Sequence, residues 1–302
     1  MELQQLRYVV AVAETSNFTR AAERCRVVQS ALSHQIAALE RELGARLFER
    51  TSRRVRLTPA GEAFLPAARE CLEAADRARA EVAAASGEIR GRLAVGAIPT
   101  VTAVDLPAAL KEFRRRHPKV RVTLVSGSSD DLVERVRRGE LDAAFLGLPT
   151  SAVPKAVQSR PLARGELVAV VAPDHPLAGD PLLDGEAELR HLAGEPFVDF
   201  RAGHAGRVQS DEAFAAAGVR RDVAFEVSSA DFMVDLVRQG LGVGMLPAAY
   251  APRFPDLRVI RLRDAPARIE HLVWGRRPSP AAAAFLALPG LTLTRRQRVQ
   301  SG

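Results

Sequence analysis

Between Phe18 and Glu42 the sequence reads as two short helices separated by a three-residue turn, and no other stretch restricts the fold of this chain as tightly. Asn17 or Thr19 can cap the first helix, in which Ala21, Ala22 and Cys25 are small and apolar enough for close packing. The turn spans Arg26 to Val28. The second helix runs from about Gln29 to Leu43, with Leu32, Ile36, Leu39 and Leu43 spaced four, three and four apart as a buried stripe. That spacing leaves Gln29, Ser30, Ser33, His34, Ala37 and Arg41 on the open side. Ahead of the pair, Leu3, Leu6, Val9, Val10 and Ala13 recur at helical spacing and predict another helix that stops near Ser16 and Asn17.

A helix presenting Gln, Ser and His from its first two turns suits a major groove, because these side chains hydrogen-bond base edges and phosphates without bulk. Any trihelical bundle with a polar surface would show the same periodicity. Gly44 is placed to end the helix in a left-handed conformation. After it come Leu47, Phe48, Arg50, Ser52, Arg53, Arg54, Val55, Arg56 and Leu57, which read as a two-stranded wing able to lie against phosphates, or as a solvated basic hairpin. Charge position favours the first. Residues 1–65 hold ten Arg against seven Glu, within a chain of formal charge +7.

Thr58 as an N-cap and Pro59 at the first helical position predict a further helix that Gly87 would stop, about 28 residues or roughly 42 Å long. Phe64, Ala68, Cys71, Ala75, Ala78, Val82 and Ala85 alternate spacings of four and three, the pattern of a heptad seam along which two copies could pair. Packing of this helix on its own domain is the alternative. Pro66 interrupts the amide ladder and bends the helix.

From residue 92 the pattern becomes α/β. Strands are expected at 92–97, 120–125 and 143–146, with helices at 104–116 and 131–138 between them. A second round follows, with strands at 166–172, 197–200, 223–227 and 243–246 and helices at 207–217 and 231–239. Alternation of this kind predicts two lobes with mostly parallel sheets. Ligands of open α/β sheets lodge beyond the carboxyl ends of the strands, which singles out Thr100 and Thr102, Ser128, and the segment Phe200, Arg201, His204. Helix capping alone could account for the hydroxyls. The combination of Thr100, Ser128 and Arg201 suggests a small effector that is a carboxylate or another anion.

No run of about 18 apolar residues and no basic, apolar leader occurs, so no membrane partner and a cytoplasmic location are expected. The two cysteines, Cys25 and Cys71, lie in helical patterns and predict no disulfide framework. The six histidines lack metal-ligand spacing. A phosphate loop and a nucleophile elbow are also missing, so neither a cofactor, a metal nor enzymatic turnover is expected.

The chain resembles the LysR-type transcriptional regulators. In the N-terminal region the likeness rests on Phe18, Ala21-Ala22-Glu23-Arg24, Gln29-Ser30-Ala31-Leu32-Ser33, Ile36, Leu39-Glu40, Leu43-Gly44, Leu47-Phe48, Arg50 and Leu57-Thr58-Pro59-Ala60-Gly61. Further along it rests on Phe113 with His117-Pro118, Gly139-Glu140-Leu141-Asp142, His175-Pro176-Leu177, and the run from Leu236 to Pro247. The resemblance implies a winged helix-turn-helix over 1–58, a dimerisation helix over 59–89, and an effector-binding domain of periplasmic-binding-protein type over 90–302. In that domain the chain would cross between lobes near Arg164 and Ile269, giving lobe I as about 90–164 and 269–302 and lobe II as about 165–268.

It further implies that Gln29, Ser30, Ser33 and His34 sit in the groove of promoter DNA while Arg50, Arg53 and Arg54 approach the backbone. A homodimer or tetramer and an encounter with RNA polymerase are implied as well. Peroxide-sensing members use cysteines in the effector domain, and this chain has none there. Two departures stand out: Cys25 where leucine is usual, and Val28 where a capping serine is common, a loss of about 1 kcal/mol. Residues 90–302 alone would also suit a solute-binding protein that retains a small anion.

Overall fold

Reciprocal hydrogen bonding between Glu2 and Gln5 starts the first helix, α1 (Leu3–Thr15), and a left-handed Ser16 ends it. The structure, a computed structural model, describes residues 1–50, 55–179 and 186–291; Arg53 and Arg54 lie outside them. Contacts divide the chain into two compact units, Met1–Glu88 and Ile89–Gly302.

In the first unit Asn17 accepts hydrogen bonds from the amides of Thr19 and Arg20, at 2.8 and 3.0 Å, and so caps α2 (Phe18–Cys25). Arg26 turns the chain at positive φ into α3 (Gln29–Leu43). Leu32, Ile36 and Leu39 are buried with Val9, Val12, Ala21 and Phe48 in one core. Leu43, expected on the same stripe, is 40% exposed because it is the last helical residue and lies beyond that core. The wing pairs β1 (Phe48–Arg50) with β2 (Val55–Leu57) in antiparallel fashion.

A set of short contacts fastens the wing to α3 and to α4 (Pro59–Ala85). Glu40 accepts from the amides of Leu47 and Phe48, at 2.8 and 3.2 Å. Thr58 donates to the Arg46 carbonyl at 2.6 Å and caps Gly61 at 3.0 Å. At Gly61 a Cβ would come within 2.1 Å of the Leu47 carbonyl oxygen, so only glycine permits this docking. Two of the predicted seam residues are committed here: Phe64 packs on the reader core and Ala68 is 1% exposed. Their place on the helix, one and two turns past the docking point, puts them on the module's own interior. Cys71, Ala78 and Val82 are exposed and Ala75 is half-buried, so within this heptad the solvent-facing residues begin only at Cys71.

The second unit opens with β3 (Gly91–Ala97), α5 (Leu106–Arg116), β4 (Val120–Ser126), α6 (Ser129–Arg137) and β5 (Ala143–Pro149). A long β6 (Gln158–Val171) and a short β7 (Glu186–Ala187) follow. The next run is β8 (Pro196–Phe200), α7 (Ala205–Ala216), β9 (Asp222–Val227), α8 (Ala230–Arg238) and β10 (Val243–Pro247). The described part closes with β11 (Arg258–Leu262), β12 (Ala267–Trp274) and α9 (Pro280–Leu286).

Strand order is β4-β3-β5-β12-β6-β10-β8-β9. The outer strands are parallel, β3 with β4 and β5 in one lobe and β8 with β9 and β10 in the other. Between them β6 and β12 run antiparallel, with Arg164 opposite Ile269. β6 begins at Gln158, eight residues before the strand expected at Glu166, because its polar first half pairs with β12, a partner more than a hundred residues away. β11 and α9 also go beyond the sequence reading.

Each lobe has its own aromatic centre. Phe285 stands edge-on to Phe113 and Phe145 in one. In the other, Phe197 meets Phe214 edge-on, and the Arg221 guanidinium lies 5.1 and 5.2 Å from these two rings while pairing with Asp199 and Asp211. No helix of the described residues is long and apolar enough to cross a membrane.

Candidate functional site

Two surfaces carry chemistry. The first is the open face of α3, where Gln29, Ser30 and His34 are exposed and Ser33 is half-buried. Gln29 and Ser33 are four residues apart, one helical turn, and the Gln29 amide donates to the Ser33 hydroxyl at 2.8 Å. Val28 sits at the N-cap and no side chain caps the helix, so the amides of the first turn keep no side-chain acceptor. Arg50 ends β1 beside this face in sequence; Arg53 and Arg54 lie outside the described residues.

The second is a cavity in the second unit enclosing about 30 Å³, room for about two water-sized groups. One wall comes from the turn after β3 with Ile98, Pro99 and Thr100, from Ser129 at the start of α6, and from Gly147 of β5. The opposite wall holds Phe200, His204, Gly206 and Gln209, and the crossing strands add Leu167 and Arg268.

Arg268 is the anchor of the first wall. Its guanidinium donates to the Thr100 hydroxyl and carbonyl, both at 3.2 Å, and to Glu270 at 3.0 Å. Glu270 also accepts from the Thr102 hydroxyl at 2.6 Å and from the amides of Thr102 and Ala103. Burial pulls the Arg268 pKa down, opposed by the Glu270 charge and hydrogen bond. At Gly147 a Cβ would fall 2.8 Å from the Arg268 Nη2, so the guanidinium can lie against this backbone only because the residue is glycine.

On the second wall His204 stacks on Phe200, with ring centroids 4.2 Å apart. Its Nδ1 accepts from the Gly206 amide at 3.1 Å and caps α7. Burial lowers the His204 pKa, the Asp130 charge works against this, and Arg201 adds to it. The Phe200 carbonyl accepts from Arg207 at 3.1 Å. Gln209, 3% exposed, donates to the Gly147 carbonyl at 3.2 Å, and Ser129 donates to the same carbonyl at 3.1 Å.

Of the effector residues expected from sequence, Thr100, Phe200 and His204 line this cavity. Three do not. Ser128 caps α6 through the Asp131 amide at 3.3 Å, and its neighbour Ser129 faces inward instead. Thr102 is spent on Glu270, and Arg201 is exposed to solvent. Ser129, Gly147, Gln209 and Arg268 were missed; only Arg268 left a trace, as one of two charged residues alternating with apolar ones in Ala267–Trp274. Among the described residues no group of His, Cys, Asp and Glu is disposed to hold a metal.

Sequence profiles of two families match. The bacterial regulatory helix-turn-helix protein, lysR family, covers residues 3–62, and the LysR substrate binding domain covers residues 86–288. A probable hydrogen peroxide-inducible genes activator of Mycobacterium avium is 37% identical over 248 residues, 82% of this chain and 78% of the relative. Full-length CbnR complexed with its target DNA superposes with a TM-score of 0.70 at 29% identity, covering 95% of this chain and 98% of that one. Full-length OxyR C199D of Pseudomonas aeruginosa gives 0.69 at 30% identity, with 96% of each chain covered.

Proposed function

The chain belongs to the LysR family and is a DNA-binding transcriptional regulator with an effector-binding domain, and on that premise we propose that α3 reads promoter DNA under the control of a small molecule held in the Thr100–Arg268 cavity. The observation that carries the reading is the open face of α3, which leaves Gln29, Ser30, Ser33 and His34 uncommitted to the module's core. In this reading these four side chains discriminate bases, and the uncapped amides of the first turn take a phosphate. Arg50, Arg53 and Arg54 supply further phosphate contacts and most of the salt dependence. The structure of CbnR with its target DNA supports the groove assignment by likeness of fold.

The proposal includes a reader over 1–58, a linker helix over 59–89 that pairs two copies along Cys71, Ala75, Ala78 and Val82, and an effector unit from 90 onward in two lobes. A dimer or a pair of dimers reads two half-sites together, beside RNA polymerase. The effector is retained and not turned over. It can bias regulation only by binding one lobe arrangement better than another. The anionic effector expected from Thr100, Ser128 and Arg201 keeps only Thr100 at the cavity. A peroxide response through a thiol in this unit, which the name of the Mycobacterium avium relative brings to mind, has no residue to run on: 89–302 contains no cysteine.

A mobility-shift titration with the protein's own promoter and a random duplex of equal length tests the reading. Tighter binding to the promoter at one fixed salt concentration is expected, and equal affinities would overturn it.

A further inference from the structure

We propose that the cavity selects a small uncharged molecule that both donates and accepts hydrogen bonds, such as a primary amide or a compact hydroxylic compound, and rejects carboxylates. This rests on the regulator reading and names its effector class. The first observation is an unpaired acceptor. Gln209 is 3% exposed, and its Nε2 is fixed toward the Gly147 carbonyl because a carbonyl can only accept. Gln209 lines the cavity, and its Oε1 has no hydrogen-bond partner. A buried acceptor left without a donor costs about 1–3 kcal/mol, so an occupant that brings a donor to Gln209 gains over one that does not.

The remaining polar groups point to the same class. Thr100 already accepts from Arg268, which leaves its hydroxyl proton to donate. His204 accepts through Nδ1, so the neutral ring carries its proton on Nε2 and also donates. The side chains of Thr100, His204 and Gln209 thus bring two donors and one acceptor. A carboxylate has no hydrogen for Gln209 Oε1 and would set a negative oxygen against it.

Charge decides against an anion as well. Arg268 is the only formally charged side chain among the described residues of the lining, and Glu270 neutralises it at 3.0 Å with both side chains buried. An anion entering the cavity would lose its water and find no net side-chain charge in return, only the capped first turns of α6 and α7. The enclosed volume of about 30 Å³ limits the occupant of this lobe arrangement to a few heavy atoms.

The test uses the full-length protein with formamide and sodium formate, which match in shape and heavy-atom number and differ in charge and in the donor. Formamide is expected to raise the thermal unfolding midpoint saturably, and formate to leave it unmoved beyond a sodium chloride control. Gln209→Leu and Thr100→Val should each weaken the apparent formamide affinity by about tenfold. Thr100→Val keeps the side-chain volume, so the comparison survives if Gln209→Leu folds poorly.

Saturable stabilisation by formate, no response to either compound, or a formamide response that both variants leave intact would each overturn the class assignment. None of these results touches promoter binding in the mobility-shift assay, so the failure of this inference and the failure of the regulator reading are separable.

Discussion

Arg268 and Glu270 stand two residues apart on β12, on the same face of the strand, and close an ion pair of 3.0 Å with side chains only 5% and 6% exposed. Both charges are held inside the protein by each other and by the backbone of the Thr100–Ala103 turn. Their spacing ties the crossing strand to the wall of the cavity.

Removing one partner strands the other. Arg268→Met is expected to destabilise the effector unit by about 3–5 kcal/mol, and Arg268→Met with Glu270→Leu to recover most of that loss. Urea unfolding followed by near-ultraviolet circular dichroism checks it, through a double-mutant cycle.

Gly61 should tolerate no side chain. With the Leu47 carbonyl 2.1 Å from where a Cβ would stand, Gly61→Ala is expected to cost the reader module about 1–3 kcal/mol. Calorimetry should show the reader's transition falling and that of the effector unit unmoved, together with weaker binding in a mobility-shift assay.

Acid should loosen the effector unit. His204 and His271 are both buried, which lowers their pKa values below the ordinary 6.5, and neither ring nitrogen of His271 has a partner. A lowered imidazole pKa means that the unfolded chain binds the extra proton first. The stabilisation is therefore complete above about pH 6.5 and is lost as pH falls through the folded-state values. Protonating His204 at Nδ1 also ends its cap on Gly206. His204→Asn keeps a capping oxygen without titrating, and should flatten part of the decline in unfolding free energy between pH 7 and 5.

On DNA, discrimination and affinity should separate. Ser33→Ala and His34→Ala are expected to change which sequences are selected from a random duplex library with little change in salt dependence. Arg53→Ala is expected to weaken binding to every sequence and lower the salt slope by about one. An unchanged slope would remove Arg53 from the phosphate contacts.

Much of the reader was legible from residue order because its determinants are local. Asn17 caps within three residues, Arg26 and Gly44 turn the chain where they stand, and the stripe through Leu32, Ile36 and Leu39 follows from the helical period. Leu43 broke the pattern because periodicity assigns a face, and the end of a core is not periodic. Phe64 and Ala68 fit a heptad equally well as a seam between chains or as a lid on their own core, and only the docking of Gly61 on Leu47 separates the two.

The effector unit shows the opposite balance. Alternating strands and helices in the sequence by itself determined two α/β lobes, since each strand or helix carries its own apolar period. Tertiary pairing alone decided that Gln158–Gly165 is strand, because its partner lies in Ala267–Trp274. It decided also that Ser129 and not Ser128 faces the cavity, a choice of one residue set by how α6 meets Gly147. Above all it brought Thr100, Gly147, Gln209 and Arg268 together. A hydrogen bond between groups sixty or more residues apart leaves no periodic trace in the chain, because its energy depends on where the intervening strands and helices come to rest.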